Sequence, residues 1–254
     1  MPFSKNASMS NKFFQPGGRR AEKVNDLFAT IAPRYDLIND LQSFGLHRWW
    51  KRKLIKLAQV QPGEKALDLC CGTGDVSFAL ARAGAEVTGL DFSAPMLAVA
   101  TKRSLNTQHS TLNIPAIRFL QGDAQDTPFP DQHFDIVTIS YGLRNLASFD
   151  AGMREMWRVA KPGGRLLVLD FGKPDNGAWR SLYFAYLRWF VPVFGRIFCG
   201  DSETHAYILE SLKNYPAQRG VASKMKELGC RDPQIHNLFG GMMSINVGVR
   251  PLDS

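Results

Sequence analysis

Short apolar runs alternate with segments of helical periodicity through the middle of the chain. The runs are apolar along most of their length, which is typical of buried strands. They fall at residues 66–69, 86–91, 117–121, 134–140 and 166–171. Between and after them, apolar residues recur at helical spacing and predict helices over residues 76–83, 95–105 and from Asp150 onward. Strands and helices that alternate at this spacing predict a parallel sheet with helices on both faces.

The last part of the chain has a different pattern. Two further strand candidates, Gln234–Phe239 and Met243–Val249, are separated only by three residues, two of them glycine. So short a connection predicts an antiparallel hairpin at the edge of the sheet. The predicted fold class is therefore α/β, a Rossmann-like doubly wound sheet of seven strands, mostly parallel.

Three local signals refine this prediction. Ser93 is placed to cap the helix that starts near Pro95, and Asp150 is placed to cap the helix that follows it. Residues 46–58 predict a further helix ahead of the first strand. In that helix we expect three inward residues and three outward cations. The inward residues are Trp50, Leu54 and Leu57, and the cations are Arg52, Lys53 and Lys56.

A strongly aromatic segment, residues 179–199, follows the fifth strand. Part of it repeats at helical spacing, as Trp179, Leu182, Tyr183, Tyr186, Leu187 and Phe190. Further aromatic and aliphatic residues widen the apolar surface beyond one stripe. Such a stripe is usually core, and the functional alternative is a wall or membrane-contact element for a long apolar ligand.

Composition describes an ordinary globular chain with an uneven charge distribution. The 254 residues are 44% hydrophobic and 21% charged, and no run of about 20 apolar residues could span a membrane. The net charge is +8, and residues 1–60 carry eleven lysines and arginines against four acids, or +7. This asymmetry indicates an anionic partner, such as a nucleic acid, an acidic membrane or a phosphorylated ligand, or simply a solvated face. The four cysteines show no CxxC spacing, which favours a reducing, cytosolic compartment.

The stretch from Ala66 to Asp75, ALDLCCGTGD, reads as a strand, a glycine turn and the start of a helix. This unit binds nucleoside-bearing cofactors in α/β proteins. Acids stand in or after the first three strands, at Asp68, Asp91 and Asp123, and Asp91 follows Gly72 by 19 residues, a spacing that suits ribose recognition. A dinucleotide fingerprint would have a third glycine where Ser77 stands. A mononucleoside with a short charged tail fits better, and S-adenosylmethionine is such a ligand.

Several stretches carry a family resemblance. LDLCCGTGD (67–75), LDFS (90–93), GDAQDTPFPDQHFD (122–135) and KPGG (161–164) resemble class I S-adenosylmethionine-dependent methyltransferases. More narrowly, YDLINDLQSFGLHRWWK (35–51), SYGLRN (140–145) and RVAKPGGRLLVLDF (158–171) are similar to the quinone-biosynthesis C-methyltransferases. The resemblance runs from about Val24 to Val249. It departs from the usual pattern at Ile38, Gln42, Cys71, Asp170 and Gly172.

The resemblance implies a domain plan and a set of cofactor contacts. Residues 1–20 would be a flexible arm, and 21–254 a single methyltransferase domain with a helical substrate cap at 21–60 and an aromatic helical insertion at 178–215. Gly72, Thr73 and Gly74 would contact the methionine part of the cofactor. Asp91 would hold the ribose, Asp123 and the Ala124 backbone the adenine, and Ser140 would line the floor. Asp68 reads better as a structural acceptor for the turn's backbone donors.

The resemblance also implies the catalytic loop. Arg144 would stabilise a developing phenolate or orient a water that removes the proton, because a guanidinium is a poor base. Tyr35 and Asn145 would be hydrogen-bond partners of the ring, with Asp36 nearby, and His47 reads as a packing residue. No metal is expected, since the sulfonium cofactor is itself the electrophile.

The function implied is S-adenosylmethionine-dependent C-methylation of a prenylated quinol, most directly demethylmenaquinol to menaquinol. The alternatives are 2-methoxy-6-polyprenyl-benzoquinol in ubiquinone biosynthesis and demethylphylloquinol. A reading of a different class is a basic lipid- or nucleic-acid-binding protein without catalysis. We expect a cytoplasmic protein held peripherally at the inner face of an anionic membrane, with no specific nucleic-acid partner. Homodimerisation is left open.

Overall fold

The computed structural model describes residues 40, 43–108, 116–199, 209 and 211–252, with the backbone alone for 190–199. The predicted arm at 1–20 and most of the predicted cap at 21–60 lie outside this description. The helices are α1 (Leu46–Ala58), α2 (Asp75–Arg82), α3 (Ala94–Gln108), α4 (Phe149–Val159), α5 (Gly177–Cys199) and α6 (Ala217–Glu227). The strands are β1 (Lys65–Leu69), β2 (Glu86–Asp91), β3 (Arg118–Gln121), β4 (Phe134–Ser140), β5 (Ala160–Phe171), β6 (Arg231–Leu238) and β7 (Met243–Val249). Short 3-10 turns lie at Leu143–Asn145 and Phe239–Gly241.

One seven-stranded sheet organises the chain, in the order β3-β2-β1-β4-β5-β7-β6. The first five strands are parallel, and β7 runs antiparallel between β5 and β6. The predicted fold class and C-terminal hairpin are confirmed. The strand order reverses between β1 and β4, and ligands of such sheets bind outside the carboxyl ends of the strands at that point.

Each face of the sheet carries its own apolar cluster. Leu54 and Ala58 of α1 and Leu80 of α2 pack on one face with Ile136 and Leu169. Helices α4, α5 and α6 cover the other face around a second set of residues. That set includes Met153, Met156, Tyr183, Leu187, Val221 and Met225. The central strands β1 and β4 are buried along most of their length, which is why their sequences are largely apolar.

The predicted turn at residues 161–164 lies within the bounds of β5. Phe134 of β4 pairs with Ala160, but Ile136 pairs with Arg165, so the β5 side holds extra residues between these two pairs. Gly163 accommodates the resulting bend with φ +77°, a backbone conformation that favours glycine. The turn is therefore a bulge that precedes the regular part of the strand.

Both predicted side-chain caps are wrong. The Oγ of Ser93 has no hydrogen-bond partner in the described chain, so it does not cap α3. Helix α4 is capped by Ser148, whose Oγ accepts a hydrogen bond from the Ala151 N–H at 3.1 Å. Asp150 is the second residue of the helix, within its first turn. Ser148 takes the cap because its backbone is extended, at φ −131° and ψ 114°.

Helices α1 and α5 match their predicted patterns in part. In α1, Leu54 is buried as expected, whereas Trp50 and Leu57 are partly buried. In α5, Tyr183 and Leu187 join the core, but Trp179, Leu182 and Trp189 are exposed. The aromatic stripe is thus only partly core. Across the described residues, no helix is both long enough and apolar enough to cross a bilayer.

Candidate functional site

The turn after β1 is built from backbone conformations that favour glycine. Gly72 and Gly74 have φ +55° and +87°, and Cys70 shares this left-handed region at φ +53° although it carries a side chain. The turn is closed by a hydrogen bond from the Gly74 N–H to the Cys71 carbonyl at 2.9 Å. Helix α2 starts directly after it, so the backbone N–H groups of its first turn face the carboxyl edge of the sheet.

Asp91, at the end of β2, is fixed in place by two backbone donors. The Gly72 N–H reaches its Oδ2 and the Ser93 N–H reaches its Oδ1, both at 2.8 Å. Burial raises the pKa of this carboxyl, and the backbone hydrogen bonds oppose that change. A carboxylate can accept about four hydrogen bonds. Asp91 is therefore oriented by the protein and still able to accept hydroxyl donors.

A cavity opens at the carboxyl edge between β1, β2 and β4, with about 830 Å³ of unfilled space including the part that opens to solvent. Its walls come from the ends of the strands and the loops after them. They comprise Cys70, Gly72, Leu90, Asp91, Phe92, Ser93, Met96, Gly122, Asp123, Ala124, Gln125, Ser140, Tyr141, Gly142, Asn145, Leu146 and Ala147. This size is within the usual range for small-molecule sites.

Five of the seven predicted cofactor residues line this cavity, namely Gly72, Asp91, Asp123, Ala124 and Ser140. Thr73 and Gly74 belong to the same turn but do not line it. Thr73 is buried, and its carbonyl accepts a hydrogen bond from Arg103 at 2.9 Å. These two residues therefore shape the turn, and their predicted contact with the methionine part stays a prediction.

Two ion pairs to one carboxylate support the turn from behind. Asp75, the first residue of α2, accepts hydrogen bonds from Lys51 of α1 at 2.7 Å and from Arg103 of α3 at 2.6 Å. Burial raises the pKa of Asp75, but the two cations outweigh it and bring the pKa to about 2. The same Arg103 binds the Thr73 carbonyl, so two separate segments, α1 and α3, fix the turn and the start of α2.

Asp68 is a structural acceptor, but its donors differ from those expected. Its side chain accepts from the Ser77 hydroxyl at 2.6 Å and the Thr138 hydroxyl at 2.9 Å, rather than from backbone N–H groups of the turn. Burial raises the pKa of this carboxyl to about 6. Ser77 thus occupies the position of the missing third glycine and binds Asp68.

The loop after β4 brings one of its two predicted polar residues into the cavity. Asn145 lines it, whereas the guanidinium of Arg144 turns into the protein. Arg144 forms a buried ion pair with Asp170 at the end of β5, with 2.8 Å between Nη1 and Oδ1. It also lies 4.6 Å from the ring centre of Phe171. The predicted action of Arg144 on a phenolate stays a prediction, and its observed contacts are with the protein.

Tyr141 is the residue on which these contacts converge. Its φ of +59° is uncommon for a residue with a large side chain. Its carbonyl accepts hydrogen bonds from Arg144 Nη1 at 2.7 Å and from Asn145 Nδ2 at 3.1 Å. These donors hold the floor of the cavity in a conformation that the chain would not adopt unaided.

Two residues of the N-terminal signature, Tyr35 and Asp36, lie outside the described residues, so their predicted convergence on the loop stays a prediction. His47 of the same signature is buried, and its Nδ1 lies 2.9 Å from the Ser43 hydroxyl. Burial and the neighbouring Lys51 lower its pKa. This environment is in keeping with a packing role.

The cavity suits a nucleoside that carries a cationic tail. The buried hydroxyls of Ser93 and Ser140 have no partner in the described chain, so each can bond a ligand. Among the described residues, two carboxylates and no lysine, arginine or histidine line the walls, which favours a positive ligand. The cavity wall is closely packed at Gly142, where an added Cβ would lie 2.4 Å from the Cys70 Cβ. No side chain fits at this position to fill the space.

Sequence reasoning missed most of the apolar wall. Phe92, Met96, Leu146 and Ala147 line the cavity, yet in the sequence they look like any core or loop residue. Phe92 had a usable signal, because it directly follows Asp91, the acid that ends β2. Within the described part of the chain, no cluster of His, Cys, Asp and Glu could hold a metal ion.

Comparison with known proteins gives a family and a fold. The model of the ubiE/COQ5 methyltransferase family matches residues 18–250. A protein of Pseudomonas savastanoi pv. phaseolicola named ubiquinone/menaquinone biosynthesis C-methyltransferase UbiE is 41% identical over 239 residues, covering 93% of this chain and 92% of its own length.

Solved structures agree on the fold. An S-adenosylmethionine-dependent methyltransferase from Aquifex aeolicus has a TM-score of 0.55 at 17% identity, covering 78% of this chain and 88% of that one. The [4+2]-cyclase SpnF has a TM-score of 0.61 at 17% identity, covering 92% of this chain and 97% of that one. Since a cyclase shares the architecture, the fold alone does not define the reaction. The family match and the cavity together confirm S-adenosylmethionine as the cofactor.

Proposed function

Because the chain belongs to the ubiE/COQ5 methyltransferase family, we propose that it transfers a methyl group from S-adenosylmethionine to a ring carbon of a prenylated quinol. The preferred acceptor is demethylmenaquinol, which becomes menaquinol. The observation that carries this proposal is the position of the SYGLRN loop. It supplies Ser140, Tyr141, Gly142 and Asn145 to the same cavity that contains Asp91.

The cofactor-side residues are assigned by their place in the cavity. Asp91 binds the ribose hydroxyls, because its carboxylate is oriented by two backbone donors and keeps free lone pairs. Asp123 and Ala124 lie at the end of β3 and bind the base, and the hydroxyl of Ser140 bonds the cofactor at the floor. When bound, S-adenosylmethionine supplies an electrophilic methyl group on a sulfonium centre.

The acceptor side must activate a ring carbon. The ring hydroxyl gives up its proton so that electron density reaches the neighbouring carbon, which has to be in line with the methyl group. Asn145 is a polar residue of the loop that reaches the cavity, so we assign it the role of orienting the ring oxygen. Arg144 holds the Tyr141 carbonyl from behind and thereby fixes the loop that carries Asn145. The proton leaves through the part of the cavity that opens to solvent.

A second acceptor is favoured by one observation. The name of the 41% identical relative covers both ubiquinone and menaquinone biosynthesis, so 2-methoxy-6-polyprenyl-benzoquinol is the alternative substrate. Demethylphylloquinol is a further naphthoquinol of the same chemistry. The alternative function of a basic binding protein without catalysis is less well supported, because the cavity is formed by the residues that bind the cofactor in this proposal.

The proposal is tested with purified protein, labelled S-adenosylmethionine and a series of demethylated quinones. Reduced demethylmenaquinol should accept the methyl group, and the oxidised quinone should not, because only the quinol has a ring hydroxyl to deprotonate. Transfer to the benzoquinol alone would move the assignment to ubiquinone biosynthesis. Transfer to no quinol would refute the proposal.

Three variants separate cofactor binding from turnover. Asp91→Asn should weaken cofactor binding at least tenfold by calorimetry, since a hydrogen bond to a charged group is worth about 1.5–3 kcal/mol. Asn145→Ala should bind the cofactor normally and lose turnover. Asn106→Ala, at an exposed position of helix α3, is the matched control and should change neither quantity.

A further inference from the structure

Four aromatic side chains from separate parts of the chain meet at one surface. Phe239, in the turn between β6 and β7, lies edge-on to Trp49 at 6.4 Å and to Trp50 at 6.2 Å between ring centres. Its carbonyl accepts a hydrogen bond from the indole N–H of Trp179 at 3.0 Å. We call Trp49, Trp50, Trp179 and Phe239 the aromatic face. It joins α1, the C-terminal hairpin and the start of α5.

Three members of the aromatic face are exposed to solvent, and Trp50 is partly buried against the core. Trp49 is 47% exposed, Phe239 is 49% exposed and Trp179 is 38% exposed. Phe239 also has a left-handed backbone, with φ +49°, which is uncommon for an aromatic residue. Large aromatic rings gathered at one exposed place mark an interaction surface, whereas single exposed apolar residues are ordinary.

Three cations extend from the aromatic face along α1. Arg52, Lys53 and Lys56 are three, four and seven positions after Trp49, so they share its side of the helix. Within the residues that the structure describes, none of the three has an acidic partner. By contrast, Lys51 of the same helix points inward to Asp75. The outer side of α1 therefore combines an indole with three positive charges that have no acidic partner among the described residues.

This combination indicates the chemistry of the partner. Protein–protein interfaces are depleted in lysine at their centres. Indole rings and cations occur together where a protein rests on a bilayer, with the rings at the level of the head groups and the cations near anionic lipid. A free phosphate would make use of the cations but leave Phe239 exposed.

We propose that the aromatic face and the outer side of α1 form a docking surface for an anionic lipid bilayer. The inference rests on the proposed function in one respect: a prenylated substrate is dissolved in a membrane, and a docked enzyme meets it there. The docking surface is a binding site in its own right and does not include any residue of the cavity.

Vesicle flotation tests the surface directly. The full-length protein is mixed with vesicles of phosphatidylcholine alone or with about 30% phosphatidylglycerol, an anionic lipid. We expect binding to the anionic vesicles and weak binding to the neutral ones. Trp49→Ser should reduce binding to both, and it should not change cofactor binding.

A charge-matched pair of double variants isolates the surface from net charge. Arg52→Gln/Lys56→Gln should weaken binding to anionic vesicles about 25-fold, at about fivefold for each charge removed near the surface. Arg154→Gln/Lys226→Gln removes the same charge from exposed positions on α4 and α6, which cover the other face of the sheet. This control should bind as the unchanged protein does. Equal losses in the two double variants would overturn the proposal, because net charge alone would then explain binding.

Other outcomes would refute the docking surface without bearing on the proposed methyl transfer. If the protein does not bind anionic vesicles, or if Trp49→Ser instead splits a dimer seen by light scattering, the surface is not a lipid site. Methyl transfer to a tail-less, water-soluble demethylnaphthoquinol is measured on the same variants. Transfer without vesicle binding overturns the docking surface alone, and vesicle binding without transfer overturns the proposed function alone.

Discussion

Removing one member of the buried Arg144–Asp170 ion pair should be strongly destabilising. Arg144→Met leaves the Asp170 carboxylate, which is 1% exposed, without its cationic partner at 2.8 Å. Stranding one charge of a buried pair costs about 3–5 kcal/mol. At about 2–4 °C per kcal/mol for a chain of this size, the melting temperature should fall by about 6–20 °C. Circular dichroism during heating and urea unfolding would measure both quantities.

A double-mutant cycle tests the reasoning behind this number. In Arg144→Met/Asp170→Asn no buried charge is left, so the double variant should be more stable than the sum of the two single losses predicts, by at least about 1.5 kcal/mol. The exposed pair Arg219–Asp175, at 2.9 Å, is the matched control, and Arg219→Met should cost less than about 1 kcal/mol. If Arg144→Met also cost less than about 1 kcal/mol, and the two losses simply added, the ion pair would not hold the loop.

Three further predictions concern other parts of the site. Ion pairs bring the pKa of Asp75 to about 2 against the effect of burial. The stability that they confer is present above about pH 4 and lost as the pH falls toward 2. In urea unfolding, the free energy of Asp75→Asn should therefore fall by about 2 kcal/mol less over this pH range than that of the unchanged protein. Asp68 behaves oppositely, since burial raises its pKa to about 6. Its ionisation lowers the stability of the fold as the pH rises from 4 to 6, and Asp68→Asn should remove about 3 kcal/mol of this loss of stability. An unchanged pH profile of stability would contradict the assignment. Gly142→Ala places a Cβ 2.4 Å from the Cβ of Cys70 and should lower the free energy of unfolding by about 1–3 kcal/mol. If this clash is the cause, adding Cys70→Gly should restore the stability.

The strands were the most predictable part of the fold. Strands β2 and β4 have the predicted bounds, and β4 shows why: a strand buried on both faces has to be apolar along most of its length. The caps at Ser93 and Asp150 were not predictable from residue type. A cap depends on which hydroxyl has an extended backbone within reach of a free N–H, and at α4 that residue is Ser148.

The candidate site was predictable where a strand ends in a polar residue. Asp91 ends β2 and Asp123 follows β3, and the parallel register brings both to one edge of the sheet. The partner of Arg144 was harder to predict, since Asp170 is 26 residues away in the chain. Ser140 pairs with Leu169, so the ends of β4 and β5 lie side by side, and that register is a tertiary fact which the local sequence does not contain.

The position of β7 has a consequence for synthesis of the chain. Strand β5 ends at Phe171 and its neighbour β7 begins at Met243, 72 residues later. At about 5–20 residues per second, a ribosome takes several seconds to complete that interval. Until then the inner part of β5, residues 166–169, has an open edge of unpaired backbone groups flanked by apolar side chains, and such edges template aggregation. The nascent chain therefore passes through a vulnerable period that only its last strand ends, and truncation anywhere before β7 would make that exposure permanent.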